Sequence, residues 1–163
     1  MDKTPIYSIV AYSGTGKTTL LEKLIADLKS RGLRVAAIKH DAHEFEIDRE
    51  GKDSWRFTRA GADVTIIASE TKAATIENRP VPLETLLGRI TDVDIILAEG
   101  YKSAPWPKIA VHRAASGNPL PLPADECYAI MTDMPLDTDT PCYDINDIQG
   151  LSDLIAAPRD ISW

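Results

Sequence analysis

Apolar positions in this chain alternate between short runs and stretches with helical spacing. Ile6 to Tyr12 is largely apolar and reads as a buried β-strand. Leu20, Leu21, Leu24, Ile25 and Leu28 then recur at the spacing of one helix face, and Gly32 closes that helix. Arg34 to Lys39 is a second strand. A short helix begins at Asp53-Ser54-Trp55, with Asp53 as its N-cap, and ends at Gly61. Val64 to Ala68 is a third strand, followed by a polar connection with an edge strand at Ala73 to Ile76. Leu83, Leu86, Leu87 and Ile90 line the apolar face of another helix. Ile95 to Ala98, Ile109 to His112, Cys127 to Met131 and Cys142 to Asp144 are further strands. Asp147 opens a terminal helix that turns Leu151, Leu154 and Ile155 inward. Glu44 to Lys52 and the proline-rich Asn118 to Pro123 read as mobile excursions. The expected architecture is α/β, a mostly parallel central sheet flanked by helices in three layers, within one domain spanning residues 1–163.

The junction between the first strand and the first helix carries chemistry. Ser13-Gly14-Thr15-Gly16-Lys17-Thr18-Thr19 is a glycine loop between a strand and a helix, the setting of a P-loop. Gly14 and Gly16 let the backbone curl so that successive N–H groups converge on one anion. The helix N-terminus adds unpaired N–H groups and partial positive charge. Lys17 is expected at the β- and γ-phosphates and the Thr18 hydroxyl on Mg²⁺. The usual first glycine of this motif is replaced by Ala11, which is tolerable if that residue keeps φ below zero. This points to a P-loop nucleotide-binding fold.

Other candidate residues stand at strand ends, where open parallel sheets bind ligands. Glu99 follows the apolar Ile95 to Ala98 and is in the Walker B position, able to hold Mg²⁺ or to orient an attacking water. Gly100 then permits close approach to a phosphate. Asp41, after the second strand, is a candidate Mg²⁺ or water partner. With His40 and His43 it also resembles a transition-metal cluster, but no third spaced ligand accompanies them and a solvent-exposed loop is the preferred reading. Lys102, Lys108 and Arg113 are candidate anion contacts. Asp133 follows a strand and is able to accept two hydrogen bonds from guanine N1–H and N2–H₂, or to be a turn-forming residue before Met134-Pro135.

Composition narrows the setting. A net charge of −7 argues against non-specific nucleic-acid binding and against an anionic membrane surface. No apolar run approaches the roughly 20 residues of a membrane span, and the N-terminus lacks a signal-peptide core, so a cytoplasmic protein is expected. Cys127 and Cys142 are the only cysteines, and both read as small apolar residues rather than as a disulfide or zinc site.

Taken together, AYSGTGKTTLLEKLI, IKHDAHEFEIDREGKDSWR, DIILAEGYK, PKIAVHR and DINDIQGLSDLI resemble the molybdopterin-guanine dinucleotide biosynthesis protein B family, MobB, nearly end to end and in family order. KHDAH with GKDSWR is more specific than the P-loop alone. The resemblance implies a GTP-binding protein that pairs as a homodimer. It implies an accessory role beside the nucleotidyltransferase MobA, which joins GMP to molybdopterin to form the guanine dinucleotide. The family's phosphate loop falls on Gly14, Thr15, Gly16, Lys17, Thr18 and Thr19, and its Walker B acid on Glu99. Catalysis, if the chain turns GTP over slowly as a Mg²⁺-dependent GTPase, would fall to Glu99 and Lys17. Two other classes stay open: a small-molecule kinase, and a nucleotide-gated binding module with negligible turnover. A kinase usually closes an Arg-rich lid, whereas Ala42 to Lys52 is largely acidic and has only Arg49 and Lys52 as cations.

Overall fold

The computed structural model describes residues 4–40 and 45–157. In chain order the elements are β1 (Ile6–Val10), α1 (Lys17–Ser30), β2 (Val35–Lys39), α2 (Asp53–Arg59), β3 (Val64–Ala68), β4 (Ala73–Glu77), α3 (Leu83–Gly88), β5 (Ile95–Glu99), β6 (Lys108–His112), β7 (Ala129–Thr132), β8 (Cys142–Asp144) and α4 (Ile148–Ala156). They form two compact units. One comprises residues 1–40 and 92–163, the other residues 41–91.

The larger unit is a six-stranded parallel sheet in the order β2-β5-β1-β6-β7-β8. Every residue of β1 is buried, as a central strand covered on both faces requires. Its alternation sorts two cores. Tyr7 and Ile9 pack with Leu20, Leu21, Leu24 and Leu28 of α1 and with Leu151 and Ile155 of α4. Val10, Ala110 and Ile130 belong to a second cluster. Leu24 and Leu28 are wholly inaccessible, so truncating either to alanine would cost about 2–5 kcal/mol. The mostly parallel sheet flanked by helices is the architecture expected from the sequence.

The second cluster corrects one expectation. The segment Asn118 to Pro123 is not a free excursion. Leu120 and Leu122, with Ala124 and Leu136, pack against Val10, Ala110, Cys127 and Ile130. An apolar sheet face needs cover, and here a loop supplies it.

α1 ends at Ser30 with Arg31 as its C-cap, and Gly32 follows at φ +82°. Arg31 binds Asp27 at 2.7 Å and also pairs with Asp153, tying α1 to α4. Asp147 caps α4, its Oδ1 accepting the Gly150 N–H at 2.9 Å. At the foot of β2, Arg34 forks onto Asp94, and that hydrogen bonding holds the Asp94 carboxyl down at about 2.

In the smaller unit, β3 and β4 form their own antiparallel pair instead of joining the main sheet. Only Ser69 to Lys72 connect them, with Ser69 N–H donating to the Lys72 carbonyl at 2.7 Å. So short a link permits a hairpin, while a parallel neighbour needs a crossover of a dozen or more residues. α2 begins at Asp53, but its cap is the extended Lys52, without a side-chain bond. Asp53 stands in the first turn, 3.9 Å from Arg56, where its charge still favours the helix terminus. α3 ends at Gly88, two residues short of Ile90, and buries none of its residues.

Two further details differ from expectation. β7 begins at Ala129, after a short 3₁₀ turn at Ala124–Glu126. Cys142 is exposed on the edge strand β8, while Cys127 is buried; both are free thiols.

Candidate functional site

β1 delivers the chain to the glycine loop at the carboxyl end of the sheet. Gly14 lies at φ +76° and Gly16 at φ +102°, values that L side chains rarely adopt. Ala11 keeps φ below zero, since only Asp92 and Tyr101 are non-glycine residues with positive φ among those described. The missing glycine therefore leaves the loop's shape intact. Gly16 is the N-cap of α1 and brings no side-chain cap, and no acidic residue occupies the first turn. The helix terminus is thus left with its N–H groups uncapped by side chains, which suits an anion.

Lys17 Nζ donates to the carbonyls of Ala11 and Tyr12 at 3.0 and 3.1 Å, which holds it at the loop. Ser13, Gly14, Thr18 and Thr19 are exposed, whereas Thr15 is buried and its hydroxyl has no hydrogen-bond partner among the described residues. Thr18 Oγ1 stands 3.5 Å from Glu99 Oε2. Neighbouring oxygens on an octahedral Mg²⁺ are about 2.9 Å apart when each bond is about 2.05 Å. An alcohol and a carboxylate at 3.5 Å therefore fit that hard cation after a small closing movement, or with a water between one of them and the metal.

Glu99 is positioned by pairing on both sides, with Ile9 of β1 and Lys39 of β2. The chain then leaves the strand through two left-handed residues, Gly100 at φ +86° and Tyr101 at φ +53°. The Tyr101 ring meets His40 edge-on at 5.3 Å and Trp106 at 5.4 Å, and burial raises its phenol pKa. The sequence marked Gly100 as a point of close backbone approach; the left-handed tyrosine beside it carried no signal.

The other expected residues are spread along the same region of sequence with different placements. Lys108 is buried, its ammonium held by the carbonyls of Ala104 and Trp106, and burial lowers its pKa. It ties a loop. Lys102 is exposed in that loop. Asp41 and His43 lie outside the described residues. Asp133 follows β7, with Oδ1 accepting the Ala114 N–H at 2.8 Å, and lines a cavity of about 320 Å³ with Thr132, Met134, Pro135 and residues 142–144. Arg113 follows β6 with its guanidinium against the glycine loop: Nε and Nη2 are 3.7 Å from the point a Cβ on Gly16 would occupy. His112, which no motif singled out, ties the two strand ends together, with Nδ1 3.2 Å from Thr132 Oγ1 and Nε2 3.2 Å from the Asn118 carbonyl.

The structure thus brings together Lys17, Thr18, Glu99 and Arg113 around one glycine loop. The profile of the family described as molybdopterin guanine dinucleotide synthesis protein B, MobB, matches residues 6–133, from the start of β1 to Asp133. The chain belongs to the MobB family. It is 42% identical to the molybdopterin-guanine dinucleotide biosynthesis adapter protein of Haemophilus influenzae over 158 residues, covering 94% of this chain and 89% of that one. To the adapter protein of the same name in Escherichia coli it is 40% identical, covering 93% of this chain and 91% of that one. Among solved structures, Bacillus subtilis MobB superposes with a TM-score of 0.74 at 29% identity, covering 93% of this chain and 95% of that one. The MobB fold and the P-loop-type α/β sheet described above are therefore the same architecture. Among the described residues no helix is long and apolar enough to cross a membrane.

Proposed function

We propose that this chain is a GTP-binding adaptor of molybdopterin-guanine dinucleotide formation that works beside a MobA-type nucleotidyltransferase in the cytoplasm. Its cofactors are GTP and Mg²⁺, and it acts as a homodimer. The observation that carries the nucleotide site is the approach of Thr18 Oγ1 and Glu99 Oε2 to 3.5 Å beside Lys17 and an uncapped helix terminus. The names of its relatives support the pathway, and the exposed Val64, Ile66 and Ile67 of β3 are consistent with pairing of two copies.

In this reading the amides from Gly14 to Thr19 cradle the phosphates. Lys17 exchanges its two backbone carbonyls for phosphate oxygens, a trade of neutral for charge-assisted bonds that are about twice as strong. Thr18 and Glu99 are the residues to hold Mg²⁺, which neutralises charge on the β- and γ-phosphates when bound. Asp133 keeps one oxygen on Ala114 N–H and turns the other to guanine. Turnover is slow in this reading, since among the described residues no arginine pairs with Glu99. Supplying such an arginine is worth about 10³–10⁵ in rate.

Calorimetry with GTP and Mg²⁺ tests the site. Lys17→Ala should weaken binding about tenfold or more while leaving the fold intact. Unchanged affinity in a folded Lys17→Ala protein would overturn the phosphate-loop assignment.

A further inference from the structure

We propose that Arg113 is a second phosphate-binding cation of the site, contacting the phosphate nearest the nucleoside and so holding GTP and GDP alike. This inference rests on the phosphate-loop reading above. Its guanidinium lies over the N-cap of α1, with Nε and Nη2 at 3.7 Å and Cζ at 3.9 Å from the Cβ position of Gly16. Among the described residues that guanidinium has neither an ion pair nor a hydrogen bond, although the chain is rich in carboxylates. A cation beside the positive end of a helix is unfavourable by itself. An anion bound between them resolves both charges.

Which phosphate it meets follows from the order of the strands. β5, bearing Glu99, flanks β1 on one side, and β6, followed directly by Arg113, flanks it on the other. Thr18 and Glu99 would hold Mg²⁺, which would supply charge neutralisation to the terminal phosphates, so the pair marks the triphosphate end of the site. β7 lies beyond β6 and is followed by Asp133, the proposed guanine reader. A nucleotide laid from Glu99 towards Asp133 passes Arg113 after its terminal phosphates and before its base. The backbone there is fixed. Arg113 is extended at φ −131°, its carbonyl accepts from Ser116 N–H and Oγ at 3.1 and 2.7 Å, and the next residue's N–H is bound by Asp133. The same hydrogen bond therefore couples the base reader to the arginine.

The test is calorimetry of wild type, Arg113→Ala, Arg113→Lys and Lys17→Ala with GTP and with GDP, each with Mg²⁺. Arg113→Ala should weaken GTP and GDP by a similar factor, about ten-fold or more, as expected for one lost charge-assisted bond. Arg113→Lys should recover only part, because an ammonium lacks the planar fork. The urea midpoint without nucleotide should not move, since the side chain is exposed and makes no bond in the described protein. Unchanged affinity in Arg113→Ala, with Lys17→Ala impaired, would overturn this inference and spare the phosphate loop. A loss confined to GTP would overturn it too, by moving the arginine to the γ-phosphate. Failure of wild type to bind either nucleotide would instead remove the underlying reading.

Discussion

Replacing Gly16 by alanine isolates the conformational demand of the phosphate loop from its chemistry. The nearest atoms a Cβ there would meet are those of the Arg113 guanidinium, at 3.7 to 3.9 Å, which is ordinary van der Waals contact. Sterics with neighbours therefore contribute little. The penalty is torsional. Gly16 sits at φ +102°, about 45° beyond the left-handed minimum near +57° open to other residues. Holding alanine in such a sparsely populated region costs about 1–3 kcal/mol. For a chain of this size each kcal/mol lowers the melting temperature by about 2–4 °C, so Gly16→Ala should melt about 2–12 °C below wild type. Gly14, at φ +76° with open space around it, lies closer to that minimum, and Gly14→Ala should lose less. Thermal melts without nucleotide read the strain, and calorimetry with GTP reads the geometry. If the loop relaxes to escape the strain, stability returns but the converging N–H groups are lost, and GTP affinity must fall. A Gly16→Ala protein equal to wild type in both melting temperature and GTP affinity would refute the reasoning.

Three other outcomes follow from particular contacts. Asp133→Asn can keep its oxygen on Ala114 N–H, so the change falls on the outward atom; competition of GTP and ATP for a fluorescent guanine nucleotide should show a narrower GTP preference, and an identical ratio would remove Asp133 from base reading. Cys142 should react with a thiol reagent in the native protein, whereas Cys127, whose thiol is pushed up to about 11 chiefly by burial, should label only on unfolding; equal rates for the two would contradict the packing. The Asp94 carboxyl is depressed to about 2 by Arg34, so its contribution to stability is complete above about pH 4 and is lost as pH falls through about 2; urea melts of Arg34→Met should lose less stability than wild type over that window, and parallel curves would refute the pairing.

Much of the larger unit was legible because its signals are local. A buried strand, two glycines and a helical apolar spacing announce the strand-loop-helix junction within a few dozen residues, and Glu99 closes the apolar β5 as expected. The Asp147 cap was equally readable, since its bond reaches only to Gly150. What escaped was set by tertiary pairing. Arg113 was readable as a candidate anion contact, but its position at the glycine loop appears only when β6 lies beside β1 and brings the guanidinium to Gly16. Lys108 resembled an anion contact until burial showed its ammonium spent on two carbonyls. The proline-rich segment looked like solvent-exposed chain because Leu120 and Leu122 are isolated among prolines, and their use depends on an uncovered sheet face far away in sequence. The β3–β4 hairpin did carry a signal, the four-residue link at Ser69 to Lys72, which forbids the parallel pairing that a third strand would otherwise suggest.

The strand order also sets a timetable for synthesis. β1 and β2 are consecutive in the larger unit, yet they never pair with each other; β5 lies between them and is the sole sheet neighbour of β2. β2 ends at Lys39 and β5 at Glu99, so even after β2 is complete a further 99 − 39 = 60 residues must be made before β1 or β2 acquires its first partner. At about 5–20 residues per second that wait is about 3–12 s. During it β1, buried at every residue in the folded protein, emerges with its apolar side chains and its backbone unpaired, and the glycine loop has no sheet to anchor it. The nascent chain therefore becomes competent to hold a nucleotide only after the middle of the polypeptide has been translated, and a ribosome stalled within residues 41–91 would present β1 to chaperones.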